Sequence, residues 1–243
     1  MGRPWHLAAA TRPGPPGRAV ANQDAYTTWT SDDGATVVVA VADGAGSLPE
    51  SHEGSTRAVA AAVEAARILA AKFPRAAVAL AHQWARAALG GRREWGCTLA
   101  VFAASPAGWA ASVIGDSFVV VHHAGGSHRL VISPPAGEFA NLTQLLSSSE
   151  VEPTTASGPS DDVVGLSAAT DGVADAALTF GPDGETVAHP GFFTPLRART
   201  AAGTLDAAAL LEHTAAQELI DDDATLVVAA RASGGGELIE ESR

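Results

Sequence analysis

Between residues 98 and 132 the chain runs through four short apolar stretches separated only by tight turns. That spacing is the strongest constraint the sequence places on its fold. The stretches cover residues 98–104, 109–114, 118–123 and 129–132, with Ser105-Pro106-Ala107-Gly108 and Gly125-Gly126 among the turns. Parallel neighbours need a crossover of about a dozen residues or more, so strands this closely spaced pair antiparallel. Further strands are expected at 25–29, 35–41, 163–169 and 224–230. Alanine-rich segments with apolar residues at helical spacing predict helices over 53–73, ended by Pro74, and over 75–89 and 205–219. The layout reads as one α+β domain over residues 1–231, antiparallel sheets with helices on their outer faces, and a tail at 232–243. Residues 133–162 are polar and rich in Ser, Pro and Gly, and read as a surface excursion over the sheet.

With 243 residues, 47% of them hydrophobic, the chain is long enough to bury one large core. It carries 27 Asp and Glu against 15 Lys and Arg, a net charge of −12, which excludes a nucleic-acid or anionic-membrane surface as partner. The same balance fits carboxylates gathered around cations, a basic substrate region or an ordinary acidic surface. Cys97 is the lone cysteine, so neither an intrachain disulfide nor a cysteine-based zinc site is expected. No apolar stretch approaches the roughly 20 residues that span a bilayer, and the start, from Met1 to His6, lacks the apolar region of a signal peptide. A cytoplasmic location is the expectation.

Two Asp-Gly pairs, Asp43-Gly44 and Asp171-Gly172, each follow an apolar run, where a buried strand opens into a loop. Asp116 follows the run 109–114, Asp222 comes just before 224–230, and Asp24 directly precedes the first expected strand. Carboxylates gathered at strand ends repel one another unless a counter-charge is present, and hard divalent cations with oxygen ligands supply it. Each aspartate by itself also fits a helix cap or a turn, and spacing alone does not bring the five together.

Six motifs, in order along nearly the whole chain, resemble the type 2C family of metal-dependent serine/threonine protein phosphatases in its compact bacterial form. They are Asn22-Gln23-Asp24-Ala25, Val41-Ala42-Asp43-Gly44-Ala45-Gly46-Ser47, Gly96-Cys97-Thr98-Leu99, Ile114-Gly115-Asp116-Ser117, Ala169-Thr170-Asp171-Gly172-Val173 and the run from Asp221 to Val228. The resemblance implies a four-layer α-β-β-α sandwich, two central antiparallel sheets flanked by helix pairs, with metals at one edge. It implies two Mn2+ or Mg2+ ions, Asp43 bridging both, the Gly44 carbonyl as a ligand, Asp171 and Asp222 holding one metal, and Asp24 ordering water. Asp116 and Asp175 match the positions of a third, looser metal together with Asp171, and 133–162 falls where the family carries a flap. The implied activity is hydrolysis of phosphoserine and phosphothreonine in proteins by direct attack of a hydroxide bridging the two metals. The substrate would then be a phosphoprotein made by a serine/threonine kinase, and the enzyme a monomer. A phosphatase of a small phosphorylated molecule, or a pseudo-phosphatase that binds phosphoprotein without turnover, are the alternatives.

Four positions depart from the family pattern. Gln23 stands where Glu is frequent, Ala45 where animal members carry a histidine acid, and Asp223 where Asn is usual. Arg18, the candidate phosphate-binding arginine, lies six residues before Asp24 rather than five, with Arg12 as second choice. Among other residues, His122 and His123 are expected on opposite strand faces as exposed strand-end residues, His52 at a helix start, and Cys97 as a small core residue.

Overall fold

The computed structural model describes residues 3–15, 21–134, 143–148, 150–180 and 185–233. Two five-stranded sheets face each other. One has strand order β1 (Trp5–Arg12), β12 (Ala224–Arg231), β9 (Val163–Ala169), β6 (Phe118–His123), β7 (His128–Ile132). The other has order β2 (Ala25–Thr30), β3 (Val37–Ala42), β4 (Leu99–Ser105), β5 (Gly108–Ile114), β8 (Thr154–Gly158). All neighbours in both sheets are antiparallel. Helices α1 (Ser51–Ala66) and α2 (Pro74–Leu89) cover the second sheet, and α4 (Pro190–Ala201) and α5 (Ala207–Ala216) cover the first. A short helix α3 (Ala174–Ala177) and a hairpin, β10 (Leu178–Phe180) with β11 (Thr186–Ala188), complete the described elements. The result is the expected four-layer α-β-β-α sandwich.

Strand β3 shows why its sequence carries no polar residue. Val37, Val39 and Val41 enter the core between the sheets, while Val38, Ala40 and Ala42 enter the core beneath α1 and α2. The period of two therefore delivers apolar side chains to two separate cores, and all six are fully buried. Each buried valine contributes about 1.5–3 kcal/mol relative to exposure. The helices meet this sheet through small residues, among them Ala58, Ala62, Ala77 and Ala81, so the layers sit close. No helix among the described residues is long and apolar enough to cross a membrane.

Three expectations are corrected. Pro74 does not end a helix but opens α2, where its missing N–H costs nothing. The closely spaced strands from 98 to 132 do not all pair in succession: β4 and β5 pair, and the chain then crosses to the facing sheet through Gly115-Asp116-Ser117, where β6 and β7 pair. Gly115 permits the crossover, with φ at 107° and no room for a Cβ against Thr98. Finally, 133–162 is not all excursion. Residues Thr154–Gly158 form edge strand β8 beside β5, in register Trp109↔Gly158 to Val113↔Thr154. Its sequence, TTASG, has a single apolar residue, Ala156, and no alternation, which is typical of an edge and illegible as a strand. Parts of that excursion, 135–142 and 149, and the tail from 234 lie outside the described residues.

A candidate metal centre of converging aspartates

Both sheets end in carboxylates on the same edge of the sandwich. Asp43 follows β3, Asp116 sits in the crossover from β5 to β6, and Asp171 follows β9. One carboxylate oxygen from each of the three lies within 4.8 Å of the other two. Asp24, just before β2, is buried and acts on Asp43 as a neighbouring negative charge, as Asp222 does on Asp171. Asp175, in α3, is exposed and is not one of the three clustered acids. Arg18 lies outside the described residues, and Arg12 is engaged by Glu212 of α5 at 3.3 Å.

Hydroxyl and backbone groups fix these acids in place. Thr98 clamps Asp43 on both sides: its Oγ1 accepts from the Asp43 N–H at 2.9 Å, and its N–H donates to the Asp43 carbonyl at 2.8 Å. Thr170 Oγ1 donates to Asp24 Oδ2 at 2.7 Å and accepts from the Thr225 N–H at 2.9 Å, tying the ends of β9 and β12 to Asp24. Thr143 Oγ1 donates to Asp116 Oδ2 at 2.7 Å. Thr143 also lines a groove of about 690 Å3, bounded by Leu48, Arg93 and Leu145, that opens beside the cluster. Gly172 has no substitute here, because a Cβ would stand 2.1 Å from the Asp223 carbonyl oxygen.

The departures from the family pattern acquire structural roles. Gln23 turns its amide away from the acids and donates to the Leu48 carbonyl at 3.2 Å and Ser51 Oγ at 2.6 Å. Asp223 is buried and accepts from two backbone donors, Gly14 N–H at 2.7 Å and Gln23 N–H at 2.6 Å. One carboxylate thus joins the chain after β1 and the segment before Asp24 to the start of β12. Asparagine, with a single acceptor oxygen, matches only one of those donors. Thr143 and Asp223 were assigned no role from sequence, and Thr98 and Thr170 appeared only as motif members. The signal was present for the last two, each lying within a motif beside an acid or facing one.

Electrostatics sets this edge apart. Burial, then the charges of Asp24, Asp171 and Asp116, push the Asp43 carboxyl up to about 10. Burial raises Asp24 to about 7 against the opposing hydroxyl of Thr170. Desolvation by the surrounding protein, then the charges of Asp116 and Asp222, raise Asp171 to about 6, although the residue opens to solvent. Asp24 Oδ1 and Asp116 Oδ1 are shielded from solvent with no hydrogen-bond partner, and no Lys or Arg pairs with Asp24, Asp43, Asp116 or Asp171 among the described residues. Orphaned buried oxygens, mutual repulsion and an all-oxygen donor set together fit hard divalent cations. Cys97, by contrast, is fully buried with its thiol pushed up to about 12 by burial, and is no nucleophile.

Histidine placement corrects one expectation. His122 and His123 do face opposite sides of β6, but His122 is fully buried rather than exposed. Its ring bonds Ser167 Oγ at 2.7 Å and His128 Nδ1 at 2.8 Å, partners supplied by β9 and β7. His123 pairs with Asp162 at 2.8 Å. His52 is half-buried in the first turn of α1.

Comparison with known proteins agrees with this geometry. Residues 18–221 match the family model described as protein phosphatase 2C. Over 199 residues the chain is 31% identical to serine/threonine-protein phosphatase 3 of Escherichia coli (strain K12), covering 75% of this chain and 76% of that protein. The fold matches the serine/threonine phosphatase PstP/Ppp of Mycobacterium tuberculosis with a TM-score of 0.64 at 17% identity, covering 94% and 99% of the two chains. A serine/threonine phosphatase from Staphylococcus aureus matches with a TM-score of 0.62 at 15% identity, covering 96% and 97%. The converging aspartates, the sandwich that presents them and the matched sequence lead to one conclusion: the chain belongs to the protein phosphatase 2C family.

Proposed function

We propose that the chain is a metal-dependent phosphatase of phosphoserine and phosphothreonine in proteins phosphorylated by a serine/threonine kinase. The observation that carries this reading is the meeting of Asp43, Asp116 and Asp171 at one edge of the sandwich, with no ion pair to a Lys or Arg among the described residues to balance them. Mn2+ or Mg2+ would be held by Asp43, the Gly44 carbonyl, Asp171 and Asp222, with Asp24 in support and Asp116 and Asp175 assigned to a looser third ion. When bound, such ions activate water and neutralise charge on a phosphoryl group.

The chain's own residues supply the rest. Thr98 fixes the Asp43 backbone, while Thr143 and Thr170 each hold one carboxylate oxygen, of Asp116 and Asp24, so little reorganisation is needed when a phosphoryl group enters. Asp223 holds the Gly14 backbone, four residues before Arg18 in sequence, and Arg18 is the residue proposed to bind phosphate. Ala45 has no proton to give a departing alkoxide, so an aryl phosphate, with its better leaving group, is expected to turn over more readily than a phosphopeptide.

Phosphate release from phosphoserine and phosphothreonine peptides, with chelator, Mn2+ or Mg2+, tests the reading. Release that depends on either cation and stops with chelator supports it, and full activity after exhaustive chelation overturns it. Cation-dependent hydrolysis of aryl phosphate with no phosphopeptide hydrolysis would point to a small phosphorylated substrate instead.

A further inference from the structure

The end of the sandwich opposite the carboxylates holds a group of arginines. A groove of about 610 Å3 is lined there by Arg3, Arg197 and Arg231, together with Ser160, Asp161 and Ser233. Arg3 precedes β1 and Arg231 closes β12, whereas Asp222 lies before the other end of β12. Eight residues of extended chain separate the two ends by roughly 25 Å.

Three arginines around one groove stand out on a chain of net charge −12. Arg12, Arg57, Arg67 and Arg92 each pair with a glutamate. Arg3, Arg197 and Arg231 make no ion pair among the described residues, and the acid on their rim, Asp161, pairs with none of them. Arg231 is preorganised: its guanidinium lies 4.0 Å from the Trp5 ring centroid, and its Nη1 donates to the Arg3 carbonyl at 2.8 Å. Arg197, on α4, is half-buried, and its Nε is shielded from solvent with no acceptor. Guanidinium forks match the paired oxygens of phosphate, and several around one groove favour a dianion over a single carboxylate.

We propose that this groove is a second anion site, separate from the carboxylate cluster, that takes a ligand through a phosphate group. The groove's volume exceeds one phosphate, so it accommodates either free phosphate or the phosphate of an ester. This inference does not depend on the proposed catalytic activity, since its residues lie at the other pole of the fold.

The test is calorimetric titration of the full-length chain in excess chelator, with inorganic phosphate and with phosphoserine as probes. One saturable site per chain is expected, retained in Asp43→Asn and weakened roughly tenfold in Arg197→Gln and in Arg3→Gln. Arg3 is exposed and meets Arg231 through its backbone carbonyl, so Arg3→Gln leaves the fold intact even if Arg197→Gln lowers the melting temperature. Binding of inorganic phosphate alone assigns the site to the free anion, and binding of phosphoserine assigns it to esters. Absence of saturable binding for both probes, or binding unchanged in both arginine variants, overturns the proposal.

Discussion

Two polar clusters sit within this apolar sandwich, the carboxylates at the strand ends and the histidines between β6, β7 and α4. In the second, every ring nitrogen of His122 and His128 has a partner: Ser167, Thr194 and each other. One imidazole donates and the other accepts, which requires the accepting ring to be neutral, and burial lowers both below the ordinary histidine value. In the first, Asp24 Oδ1 and Asp116 Oδ1 lack partners and the acids crowd one another. A polar cluster that closes on itself needs nothing further and serves the fold. One left open, with raised carboxylates, is arranged for a guest.

Breaking the open cluster is expected to have the largest effect on activity. Asp43→Asn removes a central charge, and cation-dependent phosphate release should fall on the order of 10²–10³-fold, together with cation affinity by calorimetry. Unchanged cation affinity would remove Asp43 from the site. The same acids set a pH slope on cation-free stability. The unfolded chain releases their protons near pH 4, whereas the folded chain keeps them to about 6 for Asp171, 7 for Asp24 and 10 for Asp43. Folding therefore binds protons, and cation-free stability falls as pH rises above about 4. Thermal melts should show Mn2+ or Mg2+ abolishing that slope and Asp43→Asn reducing it.

Breaking the closed cluster should do the opposite. His122→Ala strands Ser167 and His128 and leaves a cavity, costing about 2–4 kcal/mol by denaturant titration. Cation-saturated turnover should change by no more than a few-fold, and a collapse in turnover would refute the structural role. Because the folded chain keeps His122 neutral while the unfolded chain protonates near 6.5, this cluster makes stability fall as pH drops through that range. The two clusters thus tilt the pH profile in opposite directions.

Asp223→Asn sharpens the comparison, since Asp223 closes hydrogen bonds beside the open site. One of its two backbone donors loses its acceptor, at about 1–3 kcal/mol, and KM should rise more than kcat falls. Equal stability of the two proteins would show that one oxygen suffices. The smallest effect is expected from Cys97→Ser, with turnover within a few-fold. A loss of several orders of magnitude with the fold intact would make Cys97 part of the chemistry.

What the sequence determined by itself was the set of deeply buried elements and the acids that end them. β3, β6 and β9 were legible because a strand buried on both faces is apolar at most positions, even with His122 or Ser167 among them, and a local pattern survives in one dimension. Asp24, Asp43, Asp171 and Asp222 stood out because each interrupts or borders such a run, although only the resemblance joined them. Tertiary structure decided the rest. That β5 and β6 belong to different sheets, that β8 is a strand, and that His122 is buried all depend on partners far along the chain. Thr143 reaches Asp116 across 27 residues, and Asp223 reaches Gly14 across 209. Hydrogen bonds over such separations leave no periodic trace in the sequence, because they are made by single side chains whose neighbours exist only once the sheets have closed over one another.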